Sequence, residues 1–220
     1  MSNIIRIAID GPSGAGKSTI AKAVAQKLAI DYIDTGAMYR AVGYKIKELG
    51  VDPSDVAAIA AMLEDTDIDF SRGETLLDGK VISSLIRTPE ISMLASKCSA
   101  YGVVREKLVF LQRKMGQTKS VVMDGRDIGT NVLTDAEFKF FLTATPEERA
   151  NRRYKELVAK GEDVSYSKIL EETIQRDHND TTRELNPLRK AEDAIEVDTT
   201  GMSIDEVINF MYKEIDKSWQ

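Results

Sequence analysis

Gly11-Pro12-Ser13-Gly14-Ala15-Gly16-Lys17-Ser18 follows the spacing G-x-x-x-x-G-K-[ST]. It stands between a β-branched run, Ile4–Ile9, and residues Ala21, Val24, Ala25 and Leu28, which fall on one helix face. A strand, a glycine-rich turn and a helix in that order make a phosphate-binding loop. The glycines let successive backbone N–H groups surround a phosphate, and the helix starting near Lys17 adds partial positive charge. Lys17 can bridge the β- and γ-phosphates of a nucleotide, Ser18 Oγ is of the type that ligates Mg²⁺, and Thr19 adds a hydroxyl near the α-phosphate. Residues Gly11, Pro12, Ser13, Gly14, Ala15, Gly16, Lys17, Ser18 and Thr19 thus form the expected donor-nucleotide site. Asp124, at the end of the apolar run Ser120–Asp124, fits two roles: an acid approaching Mg²⁺ through water, or an organiser of its own loop.

A phosphate loop alone leaves a kinase, a switch and a simple binding module open. The arginines narrow the choice. Asp34-Thr35-Gly36-Ala37-Met38-Tyr39-Arg40 and Asp124-Gly125-Arg126-Asp127-Ile128-Gly129-Thr130 both follow candidate strands, and the carboxyl ends of strands are where open α/β sheets bind ligands. Arginine forks match phosphate oxygens, so these segments predict a second anion pocket. The chain has no Asn-Lys-x-Asp guanine-reading motif.

The elements that must hold these residues read as α/β. After the first strand–loop–helix unit come a short strand at Tyr32-Ile33-Asp34, a helix from about Ala37 to Leu49, and helical spacing at Val56, Ile59, Ala60 and Leu63. Ile68-Asp69-Phe70, Thr75-Leu76-Leu77 and Lys80-Val81-Ile82 are short strand-like pieces separated by Arg72-Gly73 and Asp78-Gly79, which predicts a small antiparallel insert. Helical spacing resumes after Pro89 and again through Val104, Leu108, Leu111 and Met115, with Gly116 as its stop. Phe138–Leu142 and Ala194–Asp198 are further strands; Thr145-Pro146 opens a helix that Gly161 breaks, a polar helix covers Ser167–Asp180, and Ile204–Ile215 closes the chain as a helix. About five strands alternating with helices predict a parallel sheet covered on both faces.

Composition removes several alternatives. The chain has 220 residues, 42% apolar, with one cysteine (Cys98) and one histidine (His178). That size fits one compact domain of residues 1–220, and the lone cysteine excludes intramolecular disulfides and multi-cysteine metal sites and fits a reducing cytoplasm. Formal net charge is −6, which disfavours nucleic-acid coating. No run approaches the roughly 18 apolar residues of a membrane span.

The motifs together resemble bacterial cytidylate kinases, in the nucleoside monophosphate kinase group of P-loop kinases. The resemblance runs through Ile9–Lys17, Asp34–Arg40, Ile86-Arg87-Thr88, Val104-Arg105, Asp124–Thr130 and Glu148–Arg153. It implies a three-layer P-loop kinase fold, with residues 68–88 as a monophosphate-binding insert and 150–165 as a short lid. It implies transfer of the γ-phosphate of ATP, with Mg²⁺, to CMP or dCMP in pyrimidine nucleotide metabolism, by a cytoplasmic monomer that binds neither nucleic acid nor membrane. It assigns Tyr39, Arg40 and Arg126 to the acceptor phosphate, Thr35, Arg105, Asp127 and Arg183 to the cytosine end, and Ser96, Arg176 and Asp180 to the sugar. Lys17, Arg126 and Arg153 become the charges that stabilise the transfer, and Ser18 the metal ligand. A P-loop kinase for UMP or another metabolite, or a nucleotide-dependent binding module, is the alternative.

Overall fold

The computed structural model describes residues 4–71 and 73–219. The chain divides into two compact units, one formed by the residues up to Tyr32 and from Ser120 onward, the other by Ile33–Lys119.

The first unit is built on β1 (Arg6–Asp10), whose Ile7, Ala8 and Ile9 are fully buried. A strand paired on both sides and covered on its faces must be apolar throughout. The β-branched run supplies this. The phosphate loop leads from β1 into α1 (Lys17–Leu28), and β2 (Asp31–Asp34) carries the chain across the unit boundary.

The second unit begins with α2 (Thr35–Leu49), capped by Asp34, whose Oδ1 accepts from Ala37 N at 2.8 Å. That cap starts the helix two residues before the predicted Ala37. α3 (Val56–Glu64) follows, then β3 (Ile68–Ser71), β4 (Glu74–Leu77) and β5 (Lys80–Val81), which form the predicted antiparallel sheet in the order β3-β4-β5. The β4–β5 turn has Asp78 at φ 50° and Gly79 at φ 77°, the two positive angles that an Asp-Gly hairpin favours. Arg72 of the other predicted turn lies outside the described residues. α4 (Pro89–Cys98) packs against α2, and α5 (Gly102–Thr118) packs against α3. α5 runs past the expected stop at Gly116, which is buried within the helix.

The chain then returns to the first unit through β6 (Val121–Gly125), a single wide turn at Ile128–Val132, β7 (Phe138–Thr143), α6 (Pro146–Ala159), α7 (Tyr166–Thr182), β8 (Ile195–Asp198) and α8 (Ile204–Trp219). The main sheet has the order β2-β6-β1-β7-β8. β1 is parallel to both β6 and β7, with Ile9 opposite Asp124 and Asp10 opposite Gly125, and β7 is parallel to β8. This register brings the carboxyl ends of β1 and β6 level. Ile20, Ala21, Val24 and Ala25 of α1 join Val207, Met211 and Ile215 of α8 over Ile7, Ile9, Val122, Phe140 and Leu142. α6 and α7 pack together around Ala150, Leu157 and Ile169.

Candidate active site

The phosphate loop leaves β1 under tight steric constraint. At Gly11, φ is 146°, and a Cβ there would lie 1.9 Å from the Leu142 carbonyl oxygen. No other residue fits without moving the β7 backbone. At Gly14, φ is 78° and a Cβ would meet Arg149 Cβ at 3.1 Å, so the crest of the loop rests on the first turn of α6. The loop ends at Gly16, which precedes α1 in a left-handed conformation.

Lys17 is buried, and its Nζ donates to Pro12 O at 2.7 Å. Burial first, and the charge of Arg126 second, lower its pKa from 10.5 to about 7, against the raising effect of Asp124, Asp10 and Asp180. Such a strained ammonium is favourably placed to meet phosphate oxygens, which restore its charge. Asp10 shows the reverse behaviour: burial pushes its carboxyl up to about 6, while backbone N–H bonds from Gly129 and Ile128 pull it down.

Ser18 Oγ donates to Asp124 Oδ2 at 2.9 Å, and Tyr32 OH donates to Asp124 Oδ1 at 2.7 Å. Asp124 is thus joined to the helix start by a hydroxyl of the type Mg²⁺ prefers. A hydroxyl and a carboxylate side by side fit this small hard cation, which binds through one or two protein oxygens together with substrate phosphates and water. Among the described residues no three His, Cys, Asp or Glu side chains are grouped to hold a metal by themselves.

The loop after β6 and the end of α7 supply a second charged cluster in this unit. Arg126 Nε donates to Asp180 Oδ2 at 2.7 Å, and Arg183 Nη2 to Asp127 Oδ1 at 3.1 Å. Arg183 also donates to Asn186 O, which fixes its guanidinium at the C-terminal end of α7. Asp127 is 6% exposed, so its charge is stabilised mainly by protein partners. Arg176 sits on the exposed face of α7.

The three arginines of α6 have different surroundings. Arg153 is half exposed and pairs with Glu156 at 2.9 Å. Arg152 donates to Thr199 O at 2.7 Å and to Glu148 at 3.1 Å. Arg149 is buried: Nε donates to Ala144 O at 2.9 Å, Nη1 to Ser13 O at 3.0 Å, and both Nη groups reach the Asp177 carboxylate. It joins the phosphate loop to α6 and α7. The spacing of basic residues along α6 does not distinguish it from Arg153.

In the other unit, Asp34 organises Thr35, Tyr39 and Arg40 on the first turns of α2. Besides capping the helix, its Oδ2 accepts from Arg40 Nη2 at 3.1 Å and from Arg87 Nη2 at 3.4 Å. Arg40 Nε is buried and has no hydrogen-bond partner among the described residues, a donor suited to an anion. Arg105 is 3% exposed, with its guanidinium 5.9 Å from the Tyr39 ring centre. Ser96 lies on the exposed side of α4. Asp34 carries no role in the motif reading, yet it holds two arginines, and its N-cap position three residues before Ala37 was the available signal.

Among the described residues no helix is long and apolar enough to cross a membrane. Solved structures match the fold: one titled an uncharacterized protein from Eubacterium ventriosum aligns over 98% of this chain and 99% of its own at 15% identity and TM-score 0.58. TT1252 from Thermus thermophilus aligns over all of both chains at 17% identity and TM-score 0.52. Sequence similarity is much closer. A cytidylate kinase of Clostridium perfringens is 52% identical over 99% of this chain and 100% of its own, and one from Clostridioides difficile 51% identical over 98% and 99%. A cytidylate kinase of Carboxydothermus hydrogenoformans is 53% identical over 93% of this chain and 94% of its own. The family model described as cytidylate kinase matches residues 7–217, and with the phosphate loop and the arginine clusters in place, the chain belongs to the cytidylate kinase family.

Proposed function

We propose that the chain transfers the γ-phosphoryl group of ATP to CMP or dCMP, giving ADP and CDP or dCDP. The observation that carries this is the family match across residues 7–217 together with an intact phosphate loop holding a buried Lys17. The acceptor is a phosphate monoester with a second pKa near 6, so at neutral pH it arrives largely as a dianion. It needs no general base. The exposed His178 therefore has no required role.

Catalysis then consists of positioning and charge stabilisation. The backbone of Gly11–Gly16 and Lys17 hold the donor phosphates. Ser18 and Asp124 would hold Mg²⁺, Ser18 through its hydroxyl and Asp124 through water, and the ion would supply charge neutralisation at the donor phosphates. Arg126, held by Asp180, and Arg40, held by Asp34, donate to acceptor phosphate oxygens, and Tyr39 serves the same group. Arg153 on α6 supplies further charge during transfer. Asp127, steadied by Arg183, accepts from the exocyclic amine of cytosine, while Arg105 donates to the base carbonyl and Thr35 adds a hydroxyl. Uracil places a carbonyl where cytosine has its amine, so Asp127 would face another acceptor. That mismatch discriminates against UMP. Ser96, Arg176 and Asp180 supply polar contacts for either sugar. We place this activity in a cytoplasmic monomer acting in pyrimidine nucleotide metabolism.

ADP release measured across ribo- and deoxyribonucleoside monophosphates tests the assignment. CMP and dCMP should give the highest kcat/KM, and a better acceptor outside the cytosine series would overturn it.

A further inference from the structure

Asp10 ends β1 one residue before the phosphate loop, but its carboxylate bonds to a different segment. Oδ1 accepts from Ile128 N at 2.8 Å and Oδ2 from Gly129 N at 2.7 Å. The residue is 4% exposed, so these are charge-assisted bonds shielded from water. Ile128 and Gly129 open the wide turn Ile128–Val132, in which Leu133 N reaches back to Ile128 O at 2.7 Å. The first N–H groups of a helical turn have no partner inside it.

At four of the other helices the cap residue itself provides the acceptor. Asp34, Asp55, Thr88 and Thr145 each accept from the backbone N–H three residues on, at α2, α3, α4 and α6. Asp127 stands at the equivalent place before the wide turn and is of a strongly capping type, but its side chain makes no cap bond. Its oxygens bond to Arg183 Nη2 and to Asn131 Nδ2, each at 3.1 Å. Two acids therefore divide the work around one turn: Asp10 does the capping, and Asp127 keeps its carboxylate for other partners.

We infer that Asp10 is a positioning residue for base selection, capping the turn from β1 and so holding the Asp127 carboxylate out of the cap and available to the acceptor's base. The inference rests on the role proposed above for Asp127. Without Asp10, the unsatisfied amides of the turn draw in the nearest carboxylate, and Asp127 rotates into the local bond its position favours. The loss falls on acceptor choice. The donor loop keeps its own constraints, because Gly11 and Gly14 hold positive φ angles where a Cβ would run into Leu142 and Arg149.

The test compares Asp10→Asn, Asp10→Ala and Asp127→Ala with the unchanged protein. ADP release is measured with CMP and with UMP, ADP affinity by calorimetry, and the Ile128 and Gly129 amide shifts by NMR. In Asp127→Ala and Asp10→Ala, the CMP:UMP ratio of kcat/KM should fall about tenfold, the scale of losing a hydrogen bond to a charged group. Asp10→Asn, whose amide oxygen still accepts, should fall between these and the unchanged protein. ADP affinity should move less than about twofold, and the two amide signals should shift upfield in both Asp10 variants. Unchanged ratios in the Asp10 variants beside an impaired Asp127→Ala overturn this inference alone. An unchanged ratio in Asp127→Ala overturns the base-reading role and the inference with it. Parallel losses of ADP affinity and CMP turnover assign Asp10 to the phosphate loop instead. If Asp10→Ala does not fold, Asp10→Asn decides by the same criteria.

Discussion

Replacing Arg149 by methionine keeps an extended side chain over the loop crest and removes its charge. Arg149 has 3% of its side chain exposed and Asp177 has 24%. Breaking a buried ion pair costs about 3–5 kcal/mol, but the partly exposed Asp177 can rehydrate, which lowers this part to about 2 kcal/mol. Ala144 O and Ser13 O each lose a donor, adding about 1 kcal/mol apiece. The sum, about 4 kcal/mol, lies below the roughly 5–15 kcal/mol of a typical native protein, so Arg149→Met should stay folded at 25 °C. Urea unfolding of the unchanged protein, Arg149→Met, Asp177→Asn and the double variant should give a coupling energy of about 2 kcal/mol that survives high salt, because the pair is largely shielded. Ser13 O is held by Arg149 at 3.0 Å, so the ATP KM should also rise about tenfold, with a smaller change in kcat. A coupling below about 0.5 kcal/mol, or an ATP KM unchanged in a destabilised variant, would refute the claim that this pair braces the phosphate loop.

Lys17→Ala should remain folded and lose about 10³-fold in ADP formation, measured in a coupled assay. The same substitution carries a pH signature: Lys17 gives up its proton near 7 in the folded chain but near 10.5 in the unfolded one. Between those values the unfolded state holds more protons, so this group makes stability rise with pH. Urea stability from pH 7 to 10.5 should therefore rise more steeply in the unchanged protein than in Lys17→Ala, and equal slopes would contradict the burial argument. Gly11→Ala places a methyl 1.9 Å from the Leu142 carbonyl oxygen and should cost about 3 kcal/mol or more, lowering Tm by at least about 6 °C in a melting scan.

Local patterns made much of the fold legible. The β-branched run before Gly11, the glycines and the helical spacing from Ala21 state β1, the loop and α1 within 25 residues, and Asp78-Gly79 marks its hairpin because few other pairs accept two positive φ angles. Gly116 misled as a stop: a glycine ends a helix where the chain turns left-handed after it, and here it stays helical and buried inside α5. The wide turn at Ile128–Val132 was not legible, since its cap comes from Asp10, 118 residues away in sequence. The same holds for Arg149, whose burial depends on Asp177, 28 residues further on. Side-chain types located the charged segments; which charge holds which is set by pairings that local spacing does not encode.

The most direct test of the account is the acceptor profile with ATP as donor: initial rates of ADP release with CMP, dCMP, UMP, AMP and shikimate under one set of conditions. CMP and dCMP should show the highest kcat/KM, with UMP well below them. Higher kcat/KM with AMP, UMP or shikimate, or nucleotide binding with no acceptor-dependent ADP release, would contradict it.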